Sequence, residues 1–259
     1  MITISSFNVN SIKARFDIVK DYLFNKKIDI LLLQEIKCVN ENFPTNEFEK
    51  LGYFTMVNGQ KSYNGVAIIS KFPIDLVSKE FFDSVSDELV QARFLDVKIL
   101  DYRIICIYAP NGNPINTEKY EYKIKWFNQF KNYCQRLYDS NEKIIIGGDF
   151  NIIPDKIDCY NPKEWENDAL YTEDVKKFLY EILNIGYVDS FRSLHPFSNS
   201  YSFWDYQNGA WQKDNGIRID FLLLSPETHD LLQNSGIDKE LRSMQRPSDH
   251  TPTWVSLYN

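Results

Sequence analysis

The sequence predicts an α/β fold in which mixed β-sheets form the interior and helices pack outside them. Short apolar runs rich in Ile, Val and Leu recur along the whole chain and outnumber the helical patterns. Several follow one another closely enough to pair as hairpins, whereas a purely parallel sheet would alternate strand and helix throughout. The size agrees: 259 residues, 43% of them hydrophobic, suit one large domain with a sizeable core. No linker, repeat or low-complexity segment divides residues 1–259, so one domain is predicted.

Strands are expected near 2–8, 28–34, 63–70, 89–97, 102–108, 143–149, 217–224 and 253–258. Shorter ones are expected near 53–57, 74–80, 187–190, 200–204 and 237–242, and helices at about 12–26, 117–138, 172–184 and 226–233. Met1-Ile2-Thr3-Ile4 alternates like a strand from the start, without the basic opening and apolar middle of a secretory signal. No apolar run approaches the roughly 18 residues that a membrane span needs. Thr172-Glu173-Asp174 opens one helix with a capping threonine and early acids, and Ser225-Pro226-Glu227 opens another with proline at its first position. Cys38, Cys106, Cys134 and Cys159 form no C-x-x-C pair, so reduced thiols and a cytoplasmic location are expected. Cys106, within Ile104-Ile105-Cys106-Ile107, reads as a small core residue.

The net charge of −7 argues against indiscriminate nucleic-acid binding. It leaves room for a locally basic groove beside an acidic site, because screening confines each field to about 10 Å.

The most informative stretch is Ile144-Ile145-Ile146-Gly147-Gly148-Asp149-Phe150-Asn151, an apolar run ending in a carboxylate. Three β-branched residues read as a strand buried on both faces, and the two glycines read as its end. Asp149 and Asn151 lie two apart, so in extended chain they converge on one side. Four other segments share the design. Ile4-Ser5-Ser6-Phe7-Asn8-Val9-Asn10 delivers Asn8 and Asn10, and Ile30-Leu31-Leu32-Leu33-Gln34-Glu35 delivers Glu35. Ile105-Cys106-Ile107-Tyr108-Ala109-Pro110-Asn111 delivers Tyr108 and Asn111, and Ile217-Arg218-Ile219-Asp220-Phe221-Leu222 contains Asp220. Strand ends of this kind are where α/β proteins keep their chemistry. Asp220 sits inside an apolar run, where a lone carboxylate costs several kcal/mol, so it needs a partner. Ser248-Asp249-His250 offers one in His250; Arg218 and Lys213 are the structural alternatives. Of the three histidines, His195 reads as a turn residue and His229 as part of a short surface helix.

Carboxylates, amides and one imidazole, without thiolates, suit a hard divalent cation such as Mg²⁺, with Mn²⁺ able to substitute. Glu35 is the first candidate ligand and Asp249 the second. Metal-assisted phosphoester hydrolysis needs a Lewis acid, a base for water and a proton for the leaving oxygen. No glycine-rich phosphate loop is present, which speaks against nucleotide-driven phosphoryl transfer.

Taken in order, Phe7-Asn8-Val9-Asn10, Leu33-Gln34-Glu35, Tyr63-Asn64-Gly65-Val66-Ala67, Tyr108-Ala109-Pro110-Asn111, Gly148-Asp149-Phe150-Asn151, Arg218-Ile219-Asp220 and Ser248-Asp249-His250 resemble the exonuclease III class of abasic-site endonucleases. That class lies within the endonuclease/exonuclease/phosphatase superfamily, with DNase I, inositol-polyphosphate 5-phosphatases and sphingomyelinases. Ser11-Ile12-Lys13-Ala14-Arg15, Glu35-Ile36-Lys37-Cys38 and Arg242-Ser243-Met244-Gln245-Arg246-Pro247-Ser248 are similar to the DNA-repair branch. The resemblance implies a DNase I-like four-layer sandwich, two mixed sheets face to face with helices outside. It implies a Mg²⁺-dependent, monomeric DNA-repair phosphodiesterase that cuts 5′ to abasic sites in double-stranded DNA and trims blocked 3′ ends. The alternative is a superfamily phosphatase acting on an inositide or lipid phosphoester.

By the same resemblance Glu35 binds the metal, with Asn8 and Asp249 in or near its shell. Asp149 activates or orients water, Asn151 holds the scissile phosphate, and the Asp220–His250 pair neutralises a phosphate oxygen. Tyr108 donates to the phosphate or leaving group, with Asn111 and Lys13 as further substrate contacts. Phe203 and Trp204 form the pocket for a base-free sugar. Three departures bear on substrate choice. Lys13 replaces the usual Arg, losing bidentate geometry. Asn111-Gly112-Asn113-Pro114 is poor in positive charge. Asp155, Asp158, Glu164, Glu166 and Asp168 make the following segment acidic against only Lys156 and Lys163.

Overall fold

The computed structural model describes residues 1–81 and 91–258. Along the chain run β1 (Ile2–Asn8), α1 (Ile12–Asn25), β2 (Ile30–Gln34), α2 (Thr45–Lys50), β3 (Phe54–Asn58), β4 (Val66–Ser70) and β5 (Asp75–Ser78). Then follow β6 (Phe94–Ile99), β7 (Tyr102–Tyr108), α3 (Glu118–Tyr138), β8 (Lys143–Asp149), α4 (Pro162–Trp165), α5 (Glu173–Ile185) and β9 (Val188–Asp189). The chain closes with α6 (Ser190–Leu194), β10 (Asp220–Leu224), α7 (Pro226–His229), β11 (Leu232–Ile237) and β12 (Thr253–Leu257).

These strands form two six-stranded sheets, ordered β11-β12-β1-β2-β4-β3 and β5-β6-β7-β8-β10-β9. Both are mixed. The pairs β1–β2 and β7–β8 are parallel, and each is joined by a helical crossover, α1 and α3. Alternation within each strand sets the layers. On β2, Ile30 and Leu32 face the second sheet, where Val97, Ile104, Ile145 and Leu222 meet them. Leu31 and Leu33 point the other way, onto Ile12, Val19 and Leu23 of α1. Ile144 and Ile146 of β8 likewise face outward, against Phe127 and Phe130 of α3 and Leu179 of α5. The result is helix, sheet, sheet, helix. Strands buried on both faces explain why these runs are continuously apolar.

Gly147 and Gly148 lie within β8 rather than ending it. Gly148 has φ +155°, and a Cβ there would fall 1.9 Å from the carbonyl oxygen of Ile107 on β7, so only glycine fits.

Several expected elements differ. The helix expected over 226–233 stops at His229, because Leu231 and Leu232 turn into the inter-sheet core and β11 pairs with β12. The strand expected at 237–242 is replaced by a 3₁₀ turn, Lys239–Ser243. The expected strand at 200–204 is irregular: its bridges are at Phe203, to Ile217 and His250, with Ser202 and Trp204 adding single backbone hydrogen bonds to Ile217, Thr251 and Asp249. The strand expected from 217 begins at Asp220, and that expected at 89–97 is regular only from Phe94, with 89–90 outside the described residues. The short helices α2, α4 and α6 are additional. Among the described residues no helix is long and apolar enough to cross a membrane. All four cysteines are free.

Candidate active site

The strand ends converge at one end of the sandwich. Asn8 ends β1, Glu35 follows β2, Tyr108 ends β7, Asp149 ends β8 and Asp220 opens β10. His250 arrives just before β12. Glu35, Tyr108, Asp149 and His250 line one pocket of 330 Å³ with Asn111, Asn151, Phe203, Asp249 and others, and Asn8 and Asp220 lie buried behind them.

Asn8 links the two sheets. Its amide nitrogen donates to Glu35 Oε1 at 2.8 Å and to Asp149 Oδ2 at 2.9 Å, while its oxygen accepts from the Asn10 N–H at 3.0 Å. Asn8 therefore presents N–H groups, not its oxygen, to the carboxylates. It tethers Glu35 and Asp149 to one another. Asp149 is a cross-strand partner of Asp220. Its Oδ1 also accepts the Asn151 N–H at 2.9 Å, and Asn151 adopts φ +50°. A tight turn thus brings Asp149 and Asn151 together, not the alternation of an extended strand.

His250 lies between the two aspartates. Its Nδ1 is 2.9 Å from Asp220 Oδ2 and its Nε2 3.7 Å from Asp149 Oδ2. Ser202 Oγ donates to the same Asp220 oxygen at 2.6 Å. Arg218 turns away from Asp220, to Asp158 at 2.6 Å and Asp189 at 2.7 Å, so the structural alternative for Asp220 falls. Burial alone would lower the His250 pKa, but Asp220 and Asp149 outweigh it and raise it to about 10. Asp149 moves up to about 7: burial is the main cause and the Asp220 and Glu35 carboxylates add to it, against His250 and Asn8. Glu35 stays ionised. Burial works against its charge, yet Lys37 at 2.9 Å and the Asn8 amide hold it below its ordinary value. Burial and the Glu35 carboxylate push the Tyr108 hydroxyl well up, which keeps it an O–H donor.

Among the described residues, Glu35, Asp149 and His250 form a group able to hold an ion, their donor atoms all within 4.8 Å of one another. The two carboxylates, with no thiolate, fit a hard divalent cation, whereas His250, protonated beside Asp220 and Asp149, brings charge and N–H donors to the group rather than a lone pair. Asp249 lines the same pocket but is held by Asn10 Nδ2 at 3.0 Å and by Ser248 Oγ at 3.3 Å. It stands outside the three-residue group.

The aromatic pair separates. Phe203 lines the pocket, its ring edge-on to His250 at 4.9 Å. Trp204 is fully buried, packs edge-on to Trp211 and donates its indole N–H to Asp214 at 3.0 Å. Trp204 is core, which corrects its expected place in the sugar pocket. The apolar walls are instead Phe203, Trp165, Leu170 and Ile219. Ile219 is legible one residue before Asp220. Trp165 and Leu170 lie in a segment whose acidic character hid their role. Lys13 is exposed and lines a neighbouring groove of 790 Å³ with Ser11, Lys37 and Lys61, outside the acidic pocket.

Comparison with known proteins accounts for this arrangement. Residues 5–250 match the Endonuclease/Exonuclease/phosphatase family. The chain is 29% identical over 263 residues to exodeoxyribonuclease III of Haemophilus influenzae, covering 97% of this chain and 98% of that one. It superposes on an AP endonuclease from Archaeoglobus fulgidus with TM-score 0.95 and 35% identity, over 100% of both chains. A 3′ phosphatase from Neisseria bound to product DNA hairpin gives TM-score 0.93 and 30% identity, again over 100% of both. With the family match running over residues 5–250 and the superpositions over the full chain, the chain belongs to the endonuclease/exonuclease/phosphatase family, in the exonuclease III class.

Proposed function

We propose that this chain is a Mg²⁺-dependent DNA-repair phosphodiesterase that cleaves double-stranded DNA 5′ to abasic sites and removes blocking groups from 3′ ends. The observation that carries this is the Glu35–Asp149–His250 group at the base of a pocket walled on one side by Phe203, Leu170 and Ile219. A base-free sugar fits such a wall, and a stacked base does not. When bound, the divalent ion supplies Lewis acidity at the phosphate.

The protein groups divide the rest. Glu35 holds the ion through a carboxylate kept ionised by its surroundings. Asp149 takes a proton from the attacking water, whose oxygen bonds to phosphorus as the bond to the 3′ oxygen breaks. Asn151, and Asn111 beside it at 3.3 Å, hold the phosphate. His250, charged beside Asp220, neutralises a phosphate oxygen. Tyr108, kept protonated, donates toward the leaving oxygen. Lys13, Lys37 and Lys61 provide a cationic track for the DNA backbone next to the acidic pocket. This is how a chain of net charge −7 binds a polyanion: the attraction is local. The relatives described above are DNA nucleases, so nothing favours the inositide or lipid reading. A monomer working in the cytoplasm completes the proposal.

The test is a labelled duplex with one tetrahydrofuran abasic analogue, beside an undamaged duplex and a nicked 3′-phosphate duplex, each with Mg²⁺ or with EDTA. Metal-dependent cutting 5′ to the analogue is expected. Turnover of the 3′-phosphate alone would confine the activity to end repair, and no turnover of any DNA would refute the reading.

A further inference from the structure

Lys123 of α3 is fully buried, among aromatic neighbours such as Trp126 and Phe127. Its ammonium donates to three backbone carbonyls: Asn111 O at 3.0 Å, Asn151 O at 2.7 Å and Ala169 O at 2.8 Å. All three of its N–H donors are thereby used. The carbonyls belong to three separate segments, following β7, β8 and α4. Each sends side chains into the pocket: Asn111 and Asn113 from the first, Asn151 from the second, Asp168 and Leu170 from the third.

Two further contacts tighten this junction. Asn113 donates to Asp168 Oδ1 at 3.0 Å and accepts the Ala169 N–H at 3.0 Å, joining the first and third segments directly. Gly112, at φ +86°, lies against the lysine stem, where a Cβ would come within 2.6 Å of Lys123 Cδ.

A helix that needed only to pack would place Leu or Met at this position, since well-packed apolar replacements of buried ions are often neutral or stabilising. Burial works against the ammonium, drawing it down to about 7 despite Asp168 and Asp149. With all three donors spent on the backbone of pocket-lining segments, Lys123 orders those segments.

We propose that Lys123 is a positioning residue for phosphodiester cleavage, its ammonium clamping the three segments so that the Asn111 and Asn151 amides stay placed for the scissile phosphate. The inference rests on the nuclease reading. It assigns Lys123 an effect on turnover, because the clamp orders groups around the reacting phosphate, while Lys13, Lys37 and Lys61 track the DNA elsewhere. Displacements near 1 Å at such sites cost about 10² in rate.

The experiment compares wild type with Lys123→Met and Asn113→Ala in steady-state cleavage of the tetrahydrofuran duplex with Mg²⁺, with thermal melts of each protein. In Lys123→Met, kcat is expected to fall about 30- to 100-fold while KM stays within about threefold. Apparent Mg²⁺ affinity should stay at the wild-type value, since Glu35, Asp149 and His250 keep their places. Asn113→Ala is expected to show the same pattern, with a smaller loss in kcat of about three- to tenfold. A folded Lys123→Met enzyme with wild-type kcat, or a loss confined to KM, would overturn the inference. Should Lys123→Met fail to fold, wild-type kcat in Asn113→Ala overturns it. A wild-type protein inactive on all DNA would instead remove the nuclease reading, so the two failures are distinguishable.

Discussion

Asp149 and Asp220 face each other across two antiparallel strands, with the imidazole of His250 between them, 2.9 Å from one carboxylate and 3.7 Å from the other. Two acids so close inside a protein cannot both ionise freely unless a cation lies near them. The imidazolium meets that need for Asp220, leaving Asp149 as the acid whose proton is loosely held near neutrality.

Replacing Asp149 by Asn keeps the shape and removes the proton acceptor. The variant is expected to fold and to lose at least about 10³ in kcat, roughly 4 kcal/mol of barrier. Steady-state cleavage of the abasic duplex, with a thermal melt of the same preparation, decides it; a rate near wild type would take Asp149 out of the chemistry.

The same substitution has a pH signature in the metal-free protein. Asp149 is raised from 3.8 to about 7 on folding. Below pH about 4 it is protonated in both folded and unfolded chains, and its contribution to stability is fully present. As pH rises toward 7 the unfolded chain releases a proton that the folded one retains, and that contribution is lost. Asn cannot titrate, so the melting temperature of Asp149→Asn minus that of wild type should increase from pH 4 to pH 7 and then level off. Melts in EDTA across this range check it, and a difference independent of pH would contradict it.

Phe203 and Trp204 are neighbours in sequence with opposite fates. Phe203→Ala should reduce abasic-site cleavage at least about tenfold more than removal of a 3′ phosphate, because only the first substrate must seat its sugar against the ring. Trp204→Ala should instead destabilise the protein by about 3–5 kcal/mol, since a fully buried indole leaves a cavity. Parallel kinetics and denaturant melts separate the two. Matching losses on both substrates for Phe203→Ala would make that ring mere packing.

Glu35→Gln removes a charge from the ion-binding group while leaving the Asn8 tether an oxygen to donate to. Half-maximal activity should then require roughly 10- to 100-fold more Mg²⁺. A titration curve superimposable on wild type would deny Glu35 its role. Addition of EDTA to wild type should abolish turnover without unfolding the protein, whose core is built without the ion.

The layered fold and the strand ends were legible because each central strand is buried on both faces and then meets solvent abruptly, as in Ile30–Glu35 and Ile144–Asp149. What could not be read is equally physical. Leu232–Ile237 is an edge strand with exposed Gln233 and Asn234, so its pattern matches neither period. Trp204 stands beside Phe203 in the chain, and only the bridges of Phe203 to Ile217 and His250 decide which ring faces the pocket. The orientation of the Asn8 amide depends on two carboxylates 27 and 141 residues away. Lys123 is one charge among many on an amphipathic helix until three distant carbonyls are seen to meet it.

The charged half of the pocket hangs from sheet ends, whereas Trp165, Leu170 and Asn111 of its walls stand on connecting segments. Scissors and jaws are thus built on different parts of the framework. Swapping the stretch from Ile153 to Glu166 for that of a relative changes one wall while leaving the Asn113–Asp168–Ala169 junction and the Lys123 clamp in place, and it is the economical route to an enzyme with a different appetite for damaged ends.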